Sequence, residues 1–430
     1  MAYDLLQIAP ERKIPTIEPA WIVWFCLLVV VVGGGALAEM HFWKGSSTAQ
    51  PLWFWSSVLV FPLIAWSVLF LLYLGMLQAP RINAQDYNSE RRAYLHNLLR
   101  EACVPLPILE VGFLFSEDEI QNSATAVVDK QLGLNPTPRF VGDDTTVTAR
   151  WLQADRYAWR FGDTGADAER QRHLLPWVFD VLMARILPGL IRLPASLPVQ
   201  VLLHVVSSLP RSEVENIWSD NWTRYGWRTA IQSKFIEAPP KLIDVDAWLG
   251  GYGDLAIDAA TVVCIVQLND LLECAPDEGL AEAAVILLLA PPLLTKRKRL
   301  SPLVLLHRPE ARADGNLDQA LHQALLWGKT EGNDIVDQWM SGGGNDSLHR
   351  ALTSCMDQRH VAIAQTPQLA GQHDIDQQIG RGGAASEWLC VALAAEHAHS
   401  SGKKQLLSLV DEQQMTLAVL APLMWNRDSE

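Results

Sequence analysis

Residues 277–290 read DEGLAEAAVILLLA, and from Ala283 to Ala290 the run is apolar without a break. A continuous run of that length suits a β-strand covered on both faces, because a half-exposed strand would alternate. A second run of the same kind, residues 260–268 (ATVVCIVQL), lies just upstream across the acidic segment Asp277-Glu278-Gly279. Two neighbouring buried strands are expected here. Working outward, residues 106–115 (LPILEVGFLF), 199–206 (VQVLLHVV) and 303–307 read as further strands, and 406–410 and 415–420 as a closing hairpin. Helical spacing marks residues 174–193, 212–225, 317–326 and 388–397, and residues 335–340 lead into a glycine turn. Alternation of buried strands with helices predicts an α/β body with helices on both faces of a sheet.

The chain before this body is different. Residues 20–38 carry no charge, and residues 51–80 form a second uncharged run rich in Trp, Leu, Val and Phe. Each is long enough for hydrocarbon, which needs roughly 20 residues. A cleaved signal peptide is disfavoured because the first run is long, weakly basic in its flank and followed at once by a second. Trp21, Trp24, Trp43, Trp53 and Trp55 stand where headgroup-depth anchors belong. Arg12 and Lys13 precede the first run, only Lys44 lies between, and Arg81, Arg91, Arg92 and Arg100 follow the second. Cytoplasmic enrichment of Lys and Arg then predicts a two-span hairpin with both termini and the body inside.

The expected organisation is a membrane hairpin over 1–80 with spans about 20–38 and 52–78, a connecting helix over 81–104, and α/β halves over 105–295 and 296–430. A formal charge of −14 sets nucleic acid aside, since phosphate binding depends on clustered Lys and Arg. The one dense basic run, Lys296 to Arg299, reads as a solvated linker. Cys26, Cys103, Cys264, Cys274, Cys355 and Cys390 contain no C-x-x-C pair and no ligand-spaced histidine, so neither a disulfide framework nor zinc is expected. His397 and His399, two apart on a helix, point to different sides. Ser341-Gly342-Gly343-Gly344-Asn345 and Gly250-Gly251-Tyr252-Gly253 lack phosphate-loop spacing and read as turns. No cofactor or metal is implied.

Two segments together carry a resemblance. The stretch 277–288 resembles the strand of thiolases and β-ketoacyl synthases that follows a Gly-Glu-Gly-Ala-like motif. Gly380-Arg381-Gly382-Gly383-Ala384-Ala385-Ser386 and the helix after it resemble their late His-x-x-Gly-Ala-Ala-Gly turn. The resemblance spans about residues 100–422 and implies a thiolase-like layered α/β region of two pseudo-related halves behind the hairpin, with the crossover near 295–305. Such enzymes use a cysteine nucleophile and oxyanion-stabilising histidines. Here the late histidine position is Gly380, the His-Gly-Thr-Gly-Thr turn reads Ser341 to Asn345, and residues 245–248, where the nucleophile is expected, hold no cysteine.

A softer likeness in architecture, to the adaptors of lipase effectors in bacterial type VI secretion, rests on the spans and on stretches such as Arg150-Trp151-Leu152-Gln153 and residues 157–161. It implies a non-catalytic, inner-membrane-anchored adaptor or chaperone whose partners are a secreted lipase effector and the secretion spike, with lipid contacted through residues 20–78. Trp218, Trp222, Trp227 and Trp248, outside the spans, suit a protein-binding surface. The competing expectation is a membrane-tethered acyl-transfer or condensing enzyme with an unrecognised nucleophile.

Overall fold

The computed structural model describes residues 8–16, 18–42, 55–138, 146–153, 164–226, 231–313, 316–342, 346–411 and 413–423. Trp43, Lys44, Trp53, Trp227, residues 157–161, Gly343, Gly344 and Asn345 lie outside them. The chain divides into one unit over residues 4–99 and a body that begins at Arg100.

In the first unit, α1 (Trp21–Phe42) pairs with α2 (Phe61–Ala102), which is entered through a π-helical turn, Ser56–Val60. The pairing is antiparallel and aromatic. Trp66 Nε1 donates to Trp24 O at 3.0 Å, and the Trp24 ring lies 5.3 Å from Phe70 and 4.8 Å from Tyr73. At the far end Ser57 Oγ donates to Glu39 Oε1 at 2.9 Å. The outward sides stay apolar, with Ile22, Leu37 and Leu71 all exposed. Both helices are long and apolar enough to cross a membrane. The expected separate connecting helix does not exist as such: α2 runs unbroken through Pro80 to Ala102. Proline removes one backbone donor and crowds the preceding turn, but a single interior proline need not end a helix of 42 residues.

The body comprises β1 (Leu106–Leu114), α3 (Ala124–Val128), β2 (Pro136–Pro138), β3 (Thr146–Thr148), α4 (Ala166–Arg192), β4 (Val199–Val206), α5 (Arg211–Arg224), β5 (Ile231–Phe235), α6 (Asp244–Leu249), β6 (Ala260–Gln267), β7 (Ala283–Leu289) and α7 (Pro292–Lys298). After these come β8 (Val304–Leu306), β9 (Glu310–Ala313), α8 (Leu317–Trp327), β10 (Ile335–Ser341), α9 (Asp346–Gln358), β11 (Gln372–Asp374), α10 (Ile375–Gln378), α11 (Ser386–Ser401), β12 (Lys404–Asp411) and β13 (Gln414–Pro422). One sheet runs β11-β10-β12-β13-β8-β1-β7-β6-β4-β5.

That order contains a repeat. Counting β1, β4, β5, β6 and β7 as strands one to five, the first half reads three-two-four-five-one from its edge. The second half, from β8, β10, β11, β12 and β13, reads the same. Strand two is parallel to three and four in both, five is antiparallel to four and one in both, and the two first strands, β1 and β8, meet antiparallel. The layered α/β body of two pseudo-related halves is thus present.

Burial explains the composition. Every residue of β7 is buried, as the unbroken run required, and Trp388 to Ala395 of α11 are buried on all sides. One apolar cluster gathers α11 with strands of both halves; α4 and α5 cover the other face of the first half, and α8 and α9 that of the second. Helix α4 is also apolar enough to span a bilayer, but half of its apolar window is buried in the body, so it is a core helix. Lys296 to Lys298, read as linker, form the last turn of α7, begun by Pro292 and closed by Arg299 at φ 52°. Basic side chains there complement the helix C-terminus.

Candidate functional site

The two segments that carried the family resemblance are neighbours. Arg381 N donates to Gly279 O at 2.8 Å and Ala281 N to Arg381 O at 3.0 Å, a short parallel bridge. Gln267, at the end of β6, joins them by accepting from Ala384 N at 3.1 Å through Oε1. The turn then feeds α11, whose first residues meet the loop after β5. The end of β10 is close by in the fold, held by α10.

At Gly380, Ser341 and Gly342, positions singled out by the resemblance, the described residues hold structural contacts. Gly380 adopts φ +106°, and a Cβ there would stand 2.9 Å from Ala281 Cβ and 3.2 Å from the carbonyl oxygens of Gly279 and Leu280. A histidine would be strained in backbone and in space. Ser341 Oγ donates to Asp376 Oδ1 at 3.2 Å, and Gly342 N to Asp376 Oδ2 at 2.7 Å. Gly342 itself has φ +90° and a virtual Cβ 2.1 Å from Val410 O, so this glycine is a close-packed turn. Asp374 caps α10 by accepting from Asp376 N and Gln377 N, and burial raises its carboxyl above the ordinary range.

Where the nucleophile is expected, α6 presents Trp248, whose ring stacks on Trp388 of α11 at 5.7 Å and 22°. Trp388 is fully buried and donates from Nε1 to Pro240 O at 2.5 Å, and Leu242 N donates to Glu387 Oε2 at 2.7 Å. Lys241 pairs with Asp411 and Asp246 with Arg308. Indole rings and the backbone of residues 240–242 therefore join α6 and the loop after β5 to the start of α11.

Three of the six cysteines, Cys103, Cys264 and Cys390, are buried. Cys264 and Cys390 are fully buried, and burial pushes both thiols up, assisted at Cys390 by Asp376, Asp374 and Glu387. Burial also raises Cys103, which donates to Leu326 O at 3.5 Å. Cys26 and Cys274 are exposed and Cys355 is half-buried, so the six are not uniformly inaccessible. Nucleophilic use requires a lowered thiol pKa, which none of the three raised groups has.

Three polar constellations were not foreseen. Arg170 of α4 and Glu282 pair in the core at 2.5 Å; Glu282 also accepts from Leu152 N at 2.9 Å and Asn269 N at 2.8 Å. Burial alone would lower the Arg170 guanidinium, but the Glu282 carboxylate outweighs it and holds it above its ordinary value. In the second half Asp337 Oδ1 lies 3.0 Å from His373 Nε2 and Asp337 Oδ2 3.2 Å from His397 Nε2. Burial pushes the Asp337 carboxyl up, yet the two imidazoles prevail and keep it well below the usual carboxylate range. His399, by contrast, is exposed. Finally, a polar cleft of about 320 Å³ lies beside Arg150, whose guanidinium donates to Gln121 Oε1 at 3.0 Å and Gly133 O at 3.2 Å. Partners separated by 13 to 130 positions leave no local signal in the sequence. Among the described residues no group of three or more His, Cys, Asp or Glu is placed to hold a metal ion.

No family model and no curated protein matches the chain. Solved structures similar to it include the ishigamide ketosynthase/chain length factor, at 14% identity and a TM-score of 0.47, covering 74% of this chain and 99% of that one. A ketosynthase from module 6 of the bacillaene synthase of Bacillus subtilis has 12% identity and a TM-score of 0.47, with 75% and 71% covered. One from module 1 of the bacillaene synthase of Bacillus amyloliquefaciens has 11% identity and a TM-score of 0.48, with 75% and 76% covered. The assignment of the body as a duplicated, layered α/β fold rests on its strand order rather than on these scores.

Proposed function

We propose that the chain is a non-catalytic adaptor or chaperone, anchored in the bacterial inner membrane by α1 and α2, whose thiolase-like cytoplasmic body binds another protein. The observation that carries this reading is Gly380: a left-handed glycine packed on Ala281 stands where a condensing enzyme would place its histidine. The Trp248–Trp388 stack and the Pro240 carbonyl supporting it fill the adjoining space. Loss of one positioned donor or base typically costs roughly 10²–10⁴ in rate, so losing both histidines and the nucleophile leaves little catalysis to select for. The expected partner is a secreted lipase effector delivered to the secretion spike. Two paired helices with outward apolar sides support the anchor, and the excess of arginines after the second favours a cytoplasmic body.

The test is affinity capture of the detergent-solubilised protein from its host, read by mass spectrometry, alongside alkaline extraction of membranes. A stoichiometric effector partner and retention in the extracted membrane fraction are expected. Release of the intact protein by alkali removes the anchor, and capture without a protein partner removes the adaptor role.

A further inference from the structure

Residues 8–16, ahead of α1, form neither helix nor strand, contain Pro10 and Pro15, and lie against α2. Their central contact is peptide-like. Arg12 N donates to Asn88 Oδ1 at 2.9 Å while Asn88 Nδ2 donates to Arg12 O at 2.9 Å, so one buried amide satisfies both backbone groups of residue 12 as a neighbouring β-strand would. The Arg12 guanidinium lies 4.0 Å from the centre of the Tyr87 ring, and Arg91 Nε donates to Ala9 O at 2.7 Å. Arg92 Nε donates to Glu11 Oε1 at 3.0 Å. Closer to α1, Ala20 N donates to Tyr73 Oη at 3.4 Å. The fixed points therefore lie on both sides of Pro80, the proline in the interior of α2, where a backbone donor is missing.

We propose that residues 9–13 form a strap, read by the face of α2 that carries Tyr87, Asn88, Arg91 and Arg92, which together with the Ala20–Tyr73 contact locks that helix as one stiff rod across Pro80. Recognition is of backbone: two of the three closest contacts end on carbonyl oxygens of the strap, and its one acidic side chain, Glu11, makes its closer pair with the exposed Arg92, whose share is small. Proline-bearing segments suit this role, because they are extended before docking and lose little entropy on it. A strap of this kind requires the flanks of the hairpin to lie on the same side of a bilayer. In that respect it rests on the two-span anchor proposed above, although the contacts themselves do not need the membrane.

The experiment uses the full chain in lipid nanodiscs. Trypsin cleavage after Arg12 and Lys13 is timed by mass spectrometry for wild type and for Asn88→Ala, a substitution that favours helix and so leaves α2 formed. Cleavage of a docked segment follows the population in which it has opened. Two lost hydrogen bonds predict cleavage of Asn88→Ala faster by about tenfold or more. In parallel, spin labels carried on non-natural residues at positions 74 and 95 report the distance across Pro80. A narrow distribution is expected in wild type and a broadened one in Asn88→Ala and in a chain lacking residues 2–16. Equal cleavage rates overturn the strap, and faster cleavage with an unchanged distribution overturns the locking of Pro80. Failure of the protein to enter nanodiscs instead counts against the anchor, while the same comparison in detergent still decides the strap.

Discussion

Replacing Arg170 by Met removes one member of an ion pair that the core cannot rehydrate. Glu282 is fully buried, and after Arg170→Met it keeps only the backbone donors of Leu152 and Asn269. Removing one partner of a buried pair costs about 3–5 kcal/mol, because a charge is left uncompensated in low dielectric. Against a total stability of about 5–15 kcal/mol that is a large fraction. At roughly 2 °C per kcal/mol for a large domain, the melting temperature of the detergent-solubilised protein should fall by about 6–10 °C, followed by tryptophan fluorescence. The double change Arg170→Met with Glu282→Gln should recover part of this, because no charge is then left buried, although the single amide oxygen can accept from only one of the two backbone groups. A single variant within about 1 kcal/mol of wild type, or a double variant no better than the single, would refute the assignment of this pair as the clamp between α4 and the start of β7.

Gly380→Ala should lower stability by about 1–3 kcal/mol without conferring activity, since φ +106° and the 2.9 Å approach to Ala281 both resist a side chain; thermal melting measures it. Trp388→Ala should cost about 3–5 kcal/mol by opening a cavity against Trp248 and orphaning the Pro240 carbonyl, read from the same melts. Asp337 has a folded-state pKa depressed by His373 and His397, so its contribution is present above the unfolded value of about 3.9 and is lost as pH falls toward the folded one. Wild type should therefore exceed Asp337→Asn in melting temperature at pH 6, and the gap should narrow steadily below pH about 4.

The sequence made the body legible where burial is uniform. The runs that became β6 and β7, the β12–β13 hairpin and the all-buried helix α11 stand out because an interior strand or helix has no polar face to blur the pattern. The resemblance implies a histidine at the position of Gly380, and only the backbone reveals that its φ resists a side chain. Local rules misled at Pro80, where they mark a break that α2 ignores, and at Lys296, where charge suggested a linker and the Pro292 start made a helix. The Arg170–Glu282 pair, the Asp337 cluster and the Arg150 cleft are long-range products of the fold, so no spacing could have announced them.

The most direct test of a body without acyl chemistry is intact-mass spectrometry of the purified full-length protein after incubation with short- and long-chain acyl thioesters. The account predicts an unchanged mass over hours at neutral pH. Stoichiometric addition of an acyl group to any of the six cysteines, reversed by hydroxylamine, would contradict it.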